Sequence, residues 1–201
     1  MKTLFAALLI ATPLLAQAAA SVGQPAPAFT ATDTAGRSVS LADFKGKTVV
    51  LEWVNPGCPY VRKHYGSGNL PATQKDAVAG GVVWLSINST AKDASDYQPP
   101  AQLAQWMQSQ KAAPSATLMD ESGRIGQAYG ARTTPHLYVI DAQGVLAYAG
   151  AIDSKPSANP ADIPGATNYV KQVLGELRAG KAVSQPVTRA YGCSVKYASG
   201  A

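Results

Sequence analysis

The sequence predicts an α/β fold in which helices flank a central mixed β-sheet. Three observations point to it. Thr48 to Val54 and Val82 to Ile87 are nearly unbroken apolar, β-branched runs, the pattern of strands covered on both faces. Helical stretches alternate with them, Pro59 to Tyr65 after the first and Ala101 to Ala112 after the second. Leu137 to Ile140 and Val145 to Tyr148 are joined by Asp141-Ala142-Gln143-Gly144, a hairpin turn that adds antiparallel pairing.

The elements follow in chain order. Met1 to Ala20 has one lysine, an apolar stretch from Leu4 to Leu15 and small residues at Ala16-Gln17-Ala18 and Ala18-Ala19-Ala20, a secretory signal peptide. Its apolar core falls short of the roughly 20 residues a spanning helix needs, and Pro13 interrupts it. Residues 1–20 are thus a leader and 21–201 one mature domain, periplasmic or otherwise exported, with no membrane span once the leader is cut. Ser21 to Thr32 is extended, Thr32 to Arg37 turns, Ser38 to Leu41 is a short strand, and Asp43-Phe44-Lys45-Gly46 turns into the strand at Lys47. After Pro59 a helix runs to about Tyr65, breaks at Gly66-Ser67-Gly68 and resumes from Pro71 to Ala79. Asn88 to Pro100 is a loop, Ala116 to Met119 a strand and Gly123 to Tyr129 a short helix. Ile152 to Pro164, with three prolines, is a long surface loop, and Ala166 to Ala179 the last helix.

Charge narrows the function. Losing Lys2 with the leader lowers the net charge from +5 to +4, dispersed apart from Arg62-Lys63-His64, which argues against nucleic acid as a partner. Two cysteines remain, Cys58 and Cys193, and in an oxidising compartment a bridge between them is the first expectation. No cofactor is called for.

Cys58 follows the break Asn55-Pro56-Gly57 at the end of a strand and precedes Pro59, a residue suited to the first helical position. A thiol there meets unpaired backbone N–H groups and the positive end of the helix dipole, which stabilise a thiolate. The segment Lys47 to Tyr65, with its apolar strand, its Trp-x-x-Pro-x-Cys-Pro approach and its helix, resembles the active-site segment of the thioredoxin superfamily. The likeness is to AhpC/TSA-type redoxins and the exported thiol-disulfide oxidoreductase branch, and covers nearly all of the mature chain. It implies a thioredoxin-like fold. One departure is large: the usual Cys-x-x-Cys is Cys58-Pro59-Tyr60-Val61, so the local resolving thiol is missing.

The resemblance implies roles for further residues. Glu52, six residues before Cys58, stands where many relatives carry a buried acid that assists thiol exchange, or else pairs with Lys47 or Lys63. Thr134-Pro135 resembles the cis-proline segment set against the active cysteine, with the Thr134 backbone free to pair with an extended substrate. Cys193 is then the resolving thiol, or half of a static bridge. His64, His136 and Arg62 are secondary candidates, and Trp53, Trp84 and Trp106 are core.

Three functions compete. The first is a thiol-disulfide oxidoreductase acting on protein or small-molecule thiols and disulfides. The second is a peroxiredoxin-like peroxidase with antioxidant activity, in which Cys58 meets the peroxide. Leu51 and Asn55 replace the proline and the Thr/Ser of the peroxiredoxin motif, and Pro135 stands at the usual arginine position, so both departures count against it. The third is a copper-handling protein built on the two thiols with His64 or His136.

Overall fold

The computed structural model describes residues 19–198, so the leader reading of Met1 to Ala20 falls almost wholly outside the described residues. Nine strands and five helices are described: β1 (Thr30–Asp33), β2 (Ser38–Ser40), β3 (Val49–Trp53), α1 (Pro59–Gly66), α2 (Asn69–Ala79), β4 (Val83–Asn88), α3 (Pro100–Ser109), β5 (Ala116–Met119), α4 (Arg124–Tyr129), β6 (Thr133–Thr134), β7 (His136–Ile140), β8 (Leu146–Gly150), α5 (Tyr169–Arg178) and β9 (Cys193–Ser194). Seven strands form one sheet in the order β2-β1-β5-β4-β3-β7-β8, and β6 pairs separately with β9. β3 runs parallel to β4 and antiparallel to β7, so it occupies the middle of a mixed sheet.

The unbroken apolar run of β3 is explained by burial of all five residues. Val50 and Val54 face one core with Val61, Tyr65, Leu103, Val170 and Val173, beneath α1, α2, α3 and α5. Val49, Leu51 and Trp53 face the other with Ile125, Tyr129 and Tyr138, beneath α4. Glu52 points into the first face. The position of Cys58 follows: β3 ends at Trp53, Asn55 to Gly57 turn, and α1 starts at Pro59 with Cys58 as its N-cap residue.

Several boundaries differ from expectation for local reasons. The strand expected over Ser38 to Leu41 stops at Ser40, whose hydroxyl accepts from the Ala42 N–H while Asp43 accepts from the Ser40 N–H, starting a 3-10 turn over Leu41–Phe44. α3 ends before Ala112 because Lys111 turns left-handed, with φ of 54°. The segment expected as a surface loop from Ile152 begins inside: Ile152 is 0% and Asp153 2% exposed. Trp53 and Trp84 are core, whereas Trp106 is only half-buried and packs on Tyr65. Strands β6 and β9 were not expected at all. Among the described residues no helix is long and apolar enough to cross a membrane.

Candidate active site

The two cysteines meet at the end of β3. Cys58 is 3% exposed; its thiol donates to the Thr134 carbonyl at 2.9 Å, and the Cys193 N–H donates to its sulfur at 3.4 Å. In the β6–β9 register Cys193 lies opposite Thr134, and the Thr134–Pro135 peptide is cis. Both cysteines are free thiols here. Burial pushes the Cys193 thiol up to about 12, and hydrogen bonding to Cys58 and its charge act in the same direction. Cys193 therefore keeps its proton through the neutral range. The Thr134 backbone is here paired with the chain's own tail.

Glu52, on β3, has no exposure, and neither Lys47 nor Lys63 is its partner. It accepts from Tyr65 Oη at 2.7 Å, Trp84 Nε1 at 2.8 Å, Gln74 Nε2 at 2.9 Å and Ser86 Oγ at 3.2 Å. Burial raises its pKa, with these four hydrogen bonds opposing. Lys63 instead donates to the Lys155 carbonyl at 3.0 Å and lies 3.8 Å from Asp153.

The secondary candidates lie elsewhere. His64 is buried between Tyr191 Oη (3.1 Å) and Asn69 Nδ2 (2.9 Å). His136 lies against Tyr138, on the opposite core face from Cys58. Arg62 is exposed and donates to the Pro56 carbonyl at 2.7 Å. Among the described residues no group of three or more His, Cys, Asp or Glu side chains is placed to hold a metal. Burial lowers both histidines to about 4. Their imidazoles are expected to titrate by NMR with midpoints near pH 4; a midpoint near 6.5 for either ring would show that it is solvated. The sign follows: their contribution to stability is present above about pH 6.5 and is lost as the pH falls through 4.

The model of the AhpC/TSA family matches residues 22–149, well over half of the chain. The chain belongs to the AhpC/TSA family. Solved structures share its fold. An uncharacterized conserved protein from Geobacillus kaustophilus is 26% identical with a TM-score of 0.76, over 90% of this chain and 94% of that one. A hypothetical protein from Sinorhizobium meliloti 1021 is 23% identical with a TM-score of 0.74, over 91% and 98%. The thioredoxin domain of a thiol-disulfide oxidoreductase from Bacteroides vulgatus is 23% identical with a TM-score of 0.52, over 72% and 96%. No curated protein matches the sequence. These likenesses make the fold thioredoxin-like.

Within this family frame, two residues to which the sequence assigned no role, Asp96 and Tyr191, shape the site together with Asn55. Asp96 presses against Gly57 and accepts from Asn55 Nδ2 at 2.9 Å, and its charge helps hold the proton on Cys193. Asn55 also accepts from the Gly57 N–H at 2.7 Å and donates to Thr90 at 3.1 Å, fixing the turn before Cys58. Tyr191, two residues before Cys193, donates to Asp153, the buried acid beside Lys63. A lone aspartate in a polar loop and a tyrosine in an aperiodic tail carry no pattern that sequence reading could detect.

Proposed function

We propose that the protein is an exported thiol-disulfide oxidoreductase in which Cys58 attacks and Cys193 resolves. The supporting observation is the placement of the Cys193 N–H on the Cys58 sulfur, against the Thr134 carbonyl. The deprotonated Cys58 sulfur attacks a substrate disulfide, forming a mixed disulfide and releasing one substrate thiolate. Cys193 then attacks the Cys58 sulfur, its proton passing to the second substrate thiolate as that leaves. Two electrons have then moved to the substrate, and the Cys58–Cys193 disulfide remains to be reduced by another thiol. Thr134 and Pro135 seat the substrate, and Glu52 takes up and returns protons from its buried position.

The likeness to the thiol-disulfide oxidoreductase from Bacteroides vulgatus favours this reading. A leader over residues 1–20 would deliver the protein to the periplasm or beyond, where such exchange has disulfides to act on. The position three residues before Cys58, at which a peroxidase needs a hydroxyl, is taken by Asn55, whose amide is engaged with Gly57, Thr90 and Asp96. Peroxide is accordingly expected to oxidise Cys58 no faster than a free thiol.

The deciding experiment equilibrates the mature protein with glutathione buffers and counts alkylated thiols by mass. A Cys58–Cys193 bridge titrating between about −120 and −270 mV is expected. A bridge resisting reduction below about −300 mV would be structural and would end the proposal. In parallel, Cys193→Ser is expected to accumulate a mixed disulfide that the wild type resolves.

A further inference from the structure

Cys58 is 3% exposed, and its sulfur is covered by the chain's own tail. From Tyr191 to Tyr197 that tail lies in a groove contacted at almost every position. Tyr191 donates to Asp153 and packs edge-on to Tyr60, with ring centroids 5.8 Å apart. Gly192, with φ of 139°, lies so close to Thr134 that any Cβ there would overlap the Thr134 carbonyl oxygen. Cys193 and Ser194 pair with Thr134 and Thr133. The Val195 N–H donates to the Arg132 carbonyl at 3.0 Å, and the Ala91 N–H to the Lys196 carbonyl at 2.8 Å. Tyr197 lays its ring on Gly123 and Gly126 and donates to the Ala131 carbonyl at 2.6 Å.

We propose that this groove is the docking site for substrate, and that the substrate is an extended protein segment of the pattern aromatic-Gly-Cys-x-x-x-aromatic, taking the tail's place strand for strand. The proposal rests on the oxidoreductase reading and names its substrate class. Two arguments carry it. First, a peptide-borne sulfur must reach Cys58 in line, and the approach along the Thr134 edge is the one the tail fills, so a substrate strand and the tail must exchange there. Second, the groove is built beyond what holding Cys193 requires. The ring slot four residues past the cysteine exists because Gly123 and Gly126 have no side chains. Gly126 lies inside α4 without a positive φ, where alanine would favour the helix. A Cβ at Gly126 would lie 2.7 Å from Cε1 of Tyr197, so the glycine there serves the ring.

The catalytic sequence becomes an exchange of strands. The substrate strand displaces the tail, and the Cys58 thiolate attacks its disulfide-bonded cysteine, forming the mixed disulfide while that cysteine's former partner leaves as a thiolate. The tail then returns, Cys193 attacks the Cys58 sulfur, and the substrate cysteine leaves as a thiol with the proton that Cys193 gives up.

The test uses full-length Cys193→Ser protein and a synthetic peptide with the sequence of residues 191–197, its cysteine activated as a disulfide with thionitrobenzoate. Attack by Cys58 on the peptide sulfur releases thionitrobenzoate, whose absorbance gives the rate. This peptide is expected to react roughly tenfold faster than one with alanine for the last tyrosine, a ratio typical of one buried ring. In Cys193→Ser carrying Gly126→Ala, whose methyl fills the slot, the ratio is expected to fall to about one, while the common rate rises because the tail is loosened. Release with no discrimination in Cys193→Ser, or a ratio that Gly126→Ala leaves unchanged, overturns the groove assignment and leaves the oxidoreductase reading standing. No release from either peptide by folded protein overturns both.

Discussion

Glu52→Ala is expected to destabilise the fold by about 3–5 kcal/mol, read as a large fall in the urea midpoint. The carboxyl group lies on β3 and is fully buried, and four side chains converge on it. Alanine leaves a void and strips Trp84 Nε1 and Ser86 Oγ of the acceptor they share, whereas Tyr65 and Gln74 retain their mutual bond at 3.0 Å. Each donor left unpaired costs about 1–3 kcal/mol, so the partial re-pairing sets the upper bound. A loss below about 1 kcal/mol would mean that water enters the site.

Glu52→Gln keeps the volume and removes the ionisation. Because burial raises the folded-state pKa above the ordinary 4.5, the folded protein holds a proton that the unfolded chain releases. The stability this contributes is complete below 4.5 and is lost as the pH rises through the folded value. Wild type should therefore weaken relative to Glu52→Gln as the pH is raised from 5, and urea midpoints of the two proteins across that range check the sign.

The legible parts of the molecule were those with a local physical cause. β3 and β4 announce themselves because a strand covered on both faces must be apolar throughout. Cys58 could be placed because Pro56-Gly57 ends a strand and Pro59 starts a helix, whereas Thr134-Pro135 was placed by its resemblance to the cis-proline segment of the superfamily. The count of two cysteines in a chain read as exported made Cys58 and Cys193 the pair to consider, and the resemblance to redoxins added the resolving role for Cys193. What stayed hidden is the path of the tail. The β6–β9 pair has two residues on each strand, too few for an alternating pattern, and the tail's other anchors, Tyr191, Val195, Lys196 and Tyr197, follow no period. The buried group of Lys63, His64 and Asp153 was hidden for a related reason: a basic run on a helix reads as a solvated face until a distant acid is known to cover it.

Gly192→Ala is expected to separate the two halves of the proposed reaction. No L side chain adopts φ of 139° without strain, and its Cβ would overlap the Thr134 carbonyl oxygen, so the tail must leave β6 and take Cys193 from the Cys58 sulfur. Resolution should slow by about 100-fold or more, since a displacement of about 1 Å at a reacting atom is enough for that. Attack by Cys58 should not slow, because Cys58, Glu52, Thr134 and Pro135 keep their residues and the cover over the thiol is loosened. Quenching the reaction with acid and weighing the products should show Gly192→Ala accumulating the mixed disulfide although both cysteines are present. Alkylation of Cys58 should at the same time be faster than in the wild type. Turnover at the wild-type rate would mean that Cys193 resolves from some other position, and the strand pairing at Thr134 would then be a feature of the resting protein with no part in catalysis. Slower attack together with slower resolution would point instead to a general loss of structure, which an unchanged urea midpoint would exclude.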